Sequence, residues 1–252
     1  MIRAILILSL VVMGTPFADG LSLIEGDCAR PAARSDLRHC DLSGRRLAGV
    51  DLSGSDLRGV DLSNADLSGA DLGGADLRKA DMRWVKLIDA HLVGADLSGA
   101  DLFHVVADQA VFSDARLFRT NLFGALLNGI IAHNAEFTHA YMKDVEIEGA
   151  DLSGASLRRV NMLRMVAMEA NFRGADLSYS QMTGAAAERA VFTDARLLHS
   201  KLNGADVQGA VFDGADLESA DFSNARIGDA RFGGAINLPP TLRDRVANRV
   251  SE

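Results

Sequence analysis

Residues 65–74 read Ala65-Asp66-Leu67-Ser68-Gly69-Ala70-Asp71-Leu72-Gly73-Gly74, one five-residue pattern written twice. The pattern extends far in both directions. Every fifth residue from Leu37 to Phe232 is apolar: of these 40 positions, 36 are Leu, Met, Ile, Val or Phe and four are Ala. Two residues before each lies a second restricted column, with 25 Ala and 12 Ser, Cys, Thr or Val; Arg45, Ile130 and Met165 are its exceptions. A period of five fits neither the 3.6 of a helix nor the 2.0 of a strand. It requires a chain that turns a corner every five residues, two of the five pointing inward and three outward.

These segments match the motif A(D/N)LXX, and the chain resembles the pentapeptide-repeat family over about 200 of its 252 residues. The resemblance implies an all-β fold, a right-handed quadrilateral β-helix with four repeats per coil. On that winding residues 35–234 make ten coils in a rod ~48 Å long. Residues twenty apart then stack, and one central column reads Leu52, Leu72, Leu92, Phe112, Ala132, Leu152, Phe172, Phe192, Phe212, Phe232. Ala107, Ala167 and Ala187 each precede a Phe in the same coil, and the oversized Ile130 and Met165 sit beside Ala132 and Ala167. Core volume is thus conserved within each coil. Arg45 has no such explanation.

The flanks read differently. Residues 1–20 have the form of a signal peptide, with Arg3 as n-region, Ala4–Met13 as h-region and Ala18-Asp19-Gly20 as a small-x-small cleavage site. The alternative is an uncleaved anchor, although the run is short for a bilayer span. Residues 21–34 form an N-terminal cap, tied by a disulfide between Cys28 and Cys40, the only cysteines; two unrelated thiols are the alternative reading. All four Pro lie outside residues 32–238, as an uninterrupted backbone ladder requires. After Pro239-Pro240, Thr241 is placed to N-cap a short helix reaching about Val250, with Leu242, Val246 and Val250 on one face. That face covers the last coil or, as in some relatives, makes a homodimer.

No catalytic, cofactor-binding or metal-binding residues are expected. The many Asp are repeat-encoded, the six His are dispersed, and no nucleophile elbow or phosphate loop is present. The net charge of −8 argues against a nucleic-acid partner. Asp36, Asp56, Asp76 and Asp96 stack in one column beside Arg38, Arg58 and Arg78. Farther along, Trp84, Phe103, Phe123, Tyr141 and Leu163 fall on one face with Phe118 on its edge, interleaved by Arg83, His104, Arg119, His139, Lys143 and Arg164. Exposed aromatic and basic residues clustered in this way mark binding surfaces. The expectation is therefore an exported, non-enzymatic module that binds an unidentified protein or envelope component. The alternative, implied by quinolone-resistance members of the family, is a DNA-mimicking protein that binds type II topoisomerases such as gyrase.

Overall fold

The structure is a computed structural model that describes residues 23–249; the signal-like segment and Val250 lie outside the described residues. It is a β-helix. Parallel bridges run from Asp36↔Asp56 to Asp216↔Ile236 with a constant offset of twenty residues, so four pentads complete one turn and residues twenty apart lie above one another. Among the described residues no helix is long and apolar enough to cross a membrane.

The repeat follows from backbone hydrogen bonding, which can be followed through the pentad Ala65–Gly69. The amide of Ala65 donates to the carbonyl of Leu62 at 2.9 Å and closes a turn. Asp66 donates back to Arg45 (2.9 Å), while Leu67 and Gly69 donate forward to Lys86 (2.8 Å) and Ile88 (2.7 Å). The fifth amide, of Ser68, donates to Oδ1 of Asp66 at 3.1 Å. Every donor in the pentad is satisfied, as a buried or edge-free ladder demands. The column of Asp and Asn exists for that last bond, because their short side chains accept from the amide two residues on. The second turn residue has positive φ throughout, from Gly44 (62°) to Gly234 (66°), which favours glycine.

The Leu and Ala columns fill the interior, and nearly all are fully buried. Phe172, Phe192, Phe212 and Phe232 stack at centroid distances of 4.9, 4.7 and 5.1 Å, the rung spacing itself. Phe112 and Ala107, expected to compensate one another, are both buried.

Both ends of the ladder are closed. The strand β1, Ile24–Glu25, pairs in parallel with β2, Ser35–Asp36, and adds a partial rung. Gly26 is required there: a Cβ would lie 2.4 Å from Leu37 Cδ2 and 2.8 Å from the Asp36 carbonyl. The expected disulfide is formed, with Cys28 and Cys40 Cα atoms 5.4 Å apart. Arg45 now has its reason, since its guanidinium reaches the end of the rod and donates to the carbonyls of Cys28 (2.9 Å) and Ala29 (3.1 Å). At the other end the helix α1 spans Pro240–Arg249. It starts earlier than the sequence suggested. Arg243 donates to the Pro239 carbonyl at 2.9 Å, so Pro239 is the capping residue and Thr241 lies inside the first turn. The fixed φ of Pro240 suits a first helical position. Leu242 is buried and Val246 packs against the core, so this face covers the last coil. Arg245 repeats the device of Arg45, donating to the carbonyls of Phe222 (3.1 Å) and Ala225 (2.5 Å).

The acidic column at the start of the rod is not bare. Arg38 bridges Asp36 (2.6 Å) and Asp56 (3.3 Å), Arg58 bridges Asp56 (2.5 Å) and Asp76 (3.5 Å), and Arg78 bridges Asp76 (2.5 Å) and Asp96 (3.9 Å). Charges alternate along the axis. The hydrogen bond from Arg38 holds the Asp36 carboxyl well below the usual carboxylate range, and that from Arg58 lowers Asp56.

Two predictions follow from this packing and pairing. Ala107→Leu and Phe112→Leu should each lower stability by about 1–3 kcal/mol in urea denaturation, and the double substitution should recover part of the loss. Additive losses would disprove compensation within the coil. Because the folded-state carboxyls of Asp36 and Asp56 are lowered, their contribution to stability is full above the unfolded value of about 3.9 and declines as pH falls below it. Arg58→Gln should therefore flatten the loss of stability between about pH 4 and pH 2.

Candidate functional site

The aromatic residues singled out by sequence come together as a ladder along one corner of the rod. Phe103 and Phe123 occupy the same turn position one coil apart and stack at 5.5 Å, with 7° between their planes. Phe123 in turn stacks on Tyr141 at 6.0 Å. Trp84 meets Phe103 edge-on at 5.5 Å and lies flat against the His104 imidazole at 4.5 Å. His104 also meets the Phe103 edge at 4.3 Å, which makes it the hinge of the cluster. Trp84 is 53% exposed and Tyr141 39% exposed, whereas Phe103 and Phe123 are half-buried against each other.

Two backbone features build this corner. Trp84 and His104 both adopt positive φ, 61° and 53°, at the turn position that glycine fills elsewhere. Side chains in this region cost on the order of 1 kcal/mol each, and the stack between them offsets that strain. One coil on stands Gly124, where a Cβ would lie 2.5 Å from His104 Cε1. The imidazole needs that gap to lie flat on Trp84. Nothing in the sequence distinguished Gly124, because glycine is common in its column.

The cations divide into two groups. Arg83 is held by Asp81 at 2.5 Å, and hydrogen bonding from Arg83 lowers the Asp81 carboxyl. Arg164 is held by Asp144 at 2.7 Å. Arg119 and Lys143 instead lie over rings: Arg119 is 5.1 Å from the Phe118 centroid and Lys143 5.8 Å from that of Phe123. Phe118 does not join the main stack; its ring meets His139 edge-on at 5.9 Å on the neighbouring corner. Arg119, Asn121, Phe103, Phe123 and Tyr141 line an open groove of 360 Å³ between the two corners.

Catalytic geometry does not emerge from these groups. His133 approaches Asp151 at 3.0 Å, and the Ser153 amide and the Asn171 side chain donate to the same carboxylate at 3.0 Å each. Cys28, His39 and Cys40 bring ligand atoms within 4.8 Å of one another, but both sulfurs are consumed by the disulfide. Val111, Ile131, Val191 and Val211 form bridges on another face, where β-branched residues suit the ladder.

Family comparisons agree with the repeat. The profile described as "Pentapeptide repeats" matches in successive segments from residues 35–74 through 120–159 to 170–209, and a second of the same description matches residues 192–236. No curated protein sequence matches the chain. Among solved structures, HetL, a pentapeptide repeat protein involved in heterocyst differentiation regulation from the cyanobacterium Nostoc, is 29% identical, covering 78% of this chain and 87% of its own with a TM-score of 0.36. Full-length QnrB1, a plasmid-mediated fluoroquinolone resistance protein, is 20% identical over 72% of this chain and 97% of its own, with a TM-score of 0.43. A pentapeptide repeat protein from the Arabidopsis thaliana thylakoid lumen is 25% identical over 61% and 69%, with a TM-score of 0.12. These TM-scores are too low for any of the likenesses to bear on what this chain does. The family profiles span most of the chain, and with the twenty-residue ladder they establish that it belongs to the pentapeptide-repeat family, a right-handed β-helix closed by a short C-terminal helix.

Proposed function

We propose that this protein is an exported, non-enzymatic scaffold that docks a protein or other envelope component through the corner built from Trp84, Phe103, His104, Phe123 and Tyr141. The observation that carries the proposal is the self-stacked aromatic ladder, which leaves Trp84 half-exposed at its end. Rigid aromatic anchors fixed by their neighbours lose little freedom on binding, which is why such residues dominate binding energy. The signal-like segment at residues 1–20 and the Cys28–Cys40 disulfide support export, since disulfides persist in oxidising compartments. Against the topoisomerase-binding alternative, Arg38, Arg58 and Arg78 bridge successive carboxylates of one acidic column on the regular half of the rod.

Two measurements test the proposal. The mature protein recovered from cells should lie outside the cytoplasm and begin after Gly20; a cytoplasmic chain of full mass would refute export. The combined substitution Trp84→Gly, Phe103→Ser, Phe123→Ser should abolish capture of the native partner while leaving the circular dichroism spectrum unchanged. Trp84→Gly alone should leave the melting temperature within a few degrees of the parent, because relief of the positive-φ strain offsets the lost stacking. Undiminished capture by the triple variant would overturn the docking assignment.

A further inference from the structure

On a chain of net charge −8, one face of the rod is basic. It lies between the corner that carries Phe118 and the corner that carries Phe123. One edge is the column Arg119, His139, Arg159, Tyr179, His199, all exposed. Down the middle run Asn121, Tyr141, Asn161, Gln181 and Lys201, joined by successive bridges. The other edge adds Lys143. Between residues 118 and 204 the only carboxylate on these outward columns is Asp144, and Arg164 holds it at 2.7 Å; beyond them the middle column ends on Asp221, next to Lys201. The opposite face of the same coils carries Glu148, Asp151, Glu169, Glu188 and Asp194 against two arginines, Arg173 and Arg189. Charge is therefore sorted by face.

The cations on this face are available. Arg119, Lys143, Arg159 and Lys201 take part in no salt bridge among the described residues. Three of them lie over rings, Arg159 being 5.4 Å from the Tyr179 centroid, which orients a guanidinium without neutralising it. The middle column offers amides: Asn161 Oδ1 accepts from the Leu163 amide, leaving its NH2 group outward, and the exposed Gln181 side chain has no partner among the described residues.

We propose that this face binds an anionic polysaccharide, with Arg119, Lys143, Arg159 and Lys201 pairing with its carboxylates and Asn161 and Gln181 bonding its hydroxyls. The site adjoins the aromatic docking corner and shares Tyr141 with it, but its cations and amides are other residues and it does not depend on that assignment. Three features favour a charged sugar polymer over other polyanions. Cations and amides recur at rungs ~4.8 Å apart, which suits a linear polymer whose charges and hydroxyls repeat. The backbone donors of the face are already engaged, Tyr141 to Thr120 (2.9 Å), Asn161 to Ala140 (3.1 Å) and Gln181 to Val160 (2.9 Å), so an acidic peptide cannot add as a strand. The Tyr179 ring lies between Arg159 and His199 (5.0 Å), so it offers no platform to an unstacked nucleic-acid base.

The test uses the full chain and fluorescent polygalacturonate oligomers as the probe, followed by anisotropy at low salt. Binding should weaken steeply as NaCl is added, because the contacts are exposed ion pairs. Arg159→Gly with Lys201→Gln should weaken it by about tenfold, a loss of charge-assisted contacts at positions where Gly and polar residues fit the repeat. Arg38→Gln with Arg58→Gln, on the paired ladder, should leave it unchanged. Trp84→Gly with Phe103→Ser should also leave polygalacturonate binding intact while impairing partner capture, so the two proposals fail separately. No binding, equal binding of neutral dextran, tighter binding of polyglutamate or of single-stranded DNA, or an unaffected Arg159/Lys201 variant would each overturn the assignment.

Discussion

The whole structure depends on one hydrogen-bonded unit, the pentad in which four amides donate to carbonyls and the fifth to an Asp side chain. Once the amide of Ser68 is satisfied by Asp66, the chain turns a corner without leaving a donor unpaired, and the next pentad repeats the arrangement. Rungs then lie directly above one another at an offset of twenty. The Asp column is consequently structural. A search for paired carboxylates as acid–base catalysts would be misled by it.

Perfect stacking has consequences for every other column. A residue repeated at twenty-residue intervals meets its own kind, so aromatic side chains become stacks and like charges become repelling rows. Beside the Asp36, Asp56, Asp76 and Asp96 column stand Arg38, Arg58 and Arg78, each spanning two coils. Where it repeats Phe on the surface, as at Phe103 and Phe123, the rings shield one another and only the ladder's end at Trp84 stands well exposed. A solenoid of this kind also has two open ends, and each is closed by an arginine that reaches backbone carbonyls, Arg45 at one and Arg245 at the other. Arg45 ties the cap to the first coil, while Arg245 satisfies the Ala225 carbonyl, whose counterpart Ala205 accepts from Arg226 in the next coil.

By itself, the sequence determined the period, the two buried columns, the placement of Ala107 beside Phe112 in one coil and the membership of Trp84, Phe103, Phe123 and Tyr141 in one surface region. All of these are readable because a strictly repeating backbone converts residue number directly into position. What only the tertiary structure decided were the features that break translation along the rod or depend on side-chain direction. Arg45 looked like an intrusion in the Ala column until the cap placed two carbonyls within its reach. The helix starts at Pro240 because the Pro239 carbonyl accepts the first helical bond, a choice that Thr241 seemed to compete for. Gly124 matters because His104 lies over it, Arg83 is neutralised by its own coil, and Phe118 turns to His139 instead of joining the main stack. Periodicity fixes where a Cα stands, but the contact a long side chain makes depends on which neighbours surround it in three dimensions.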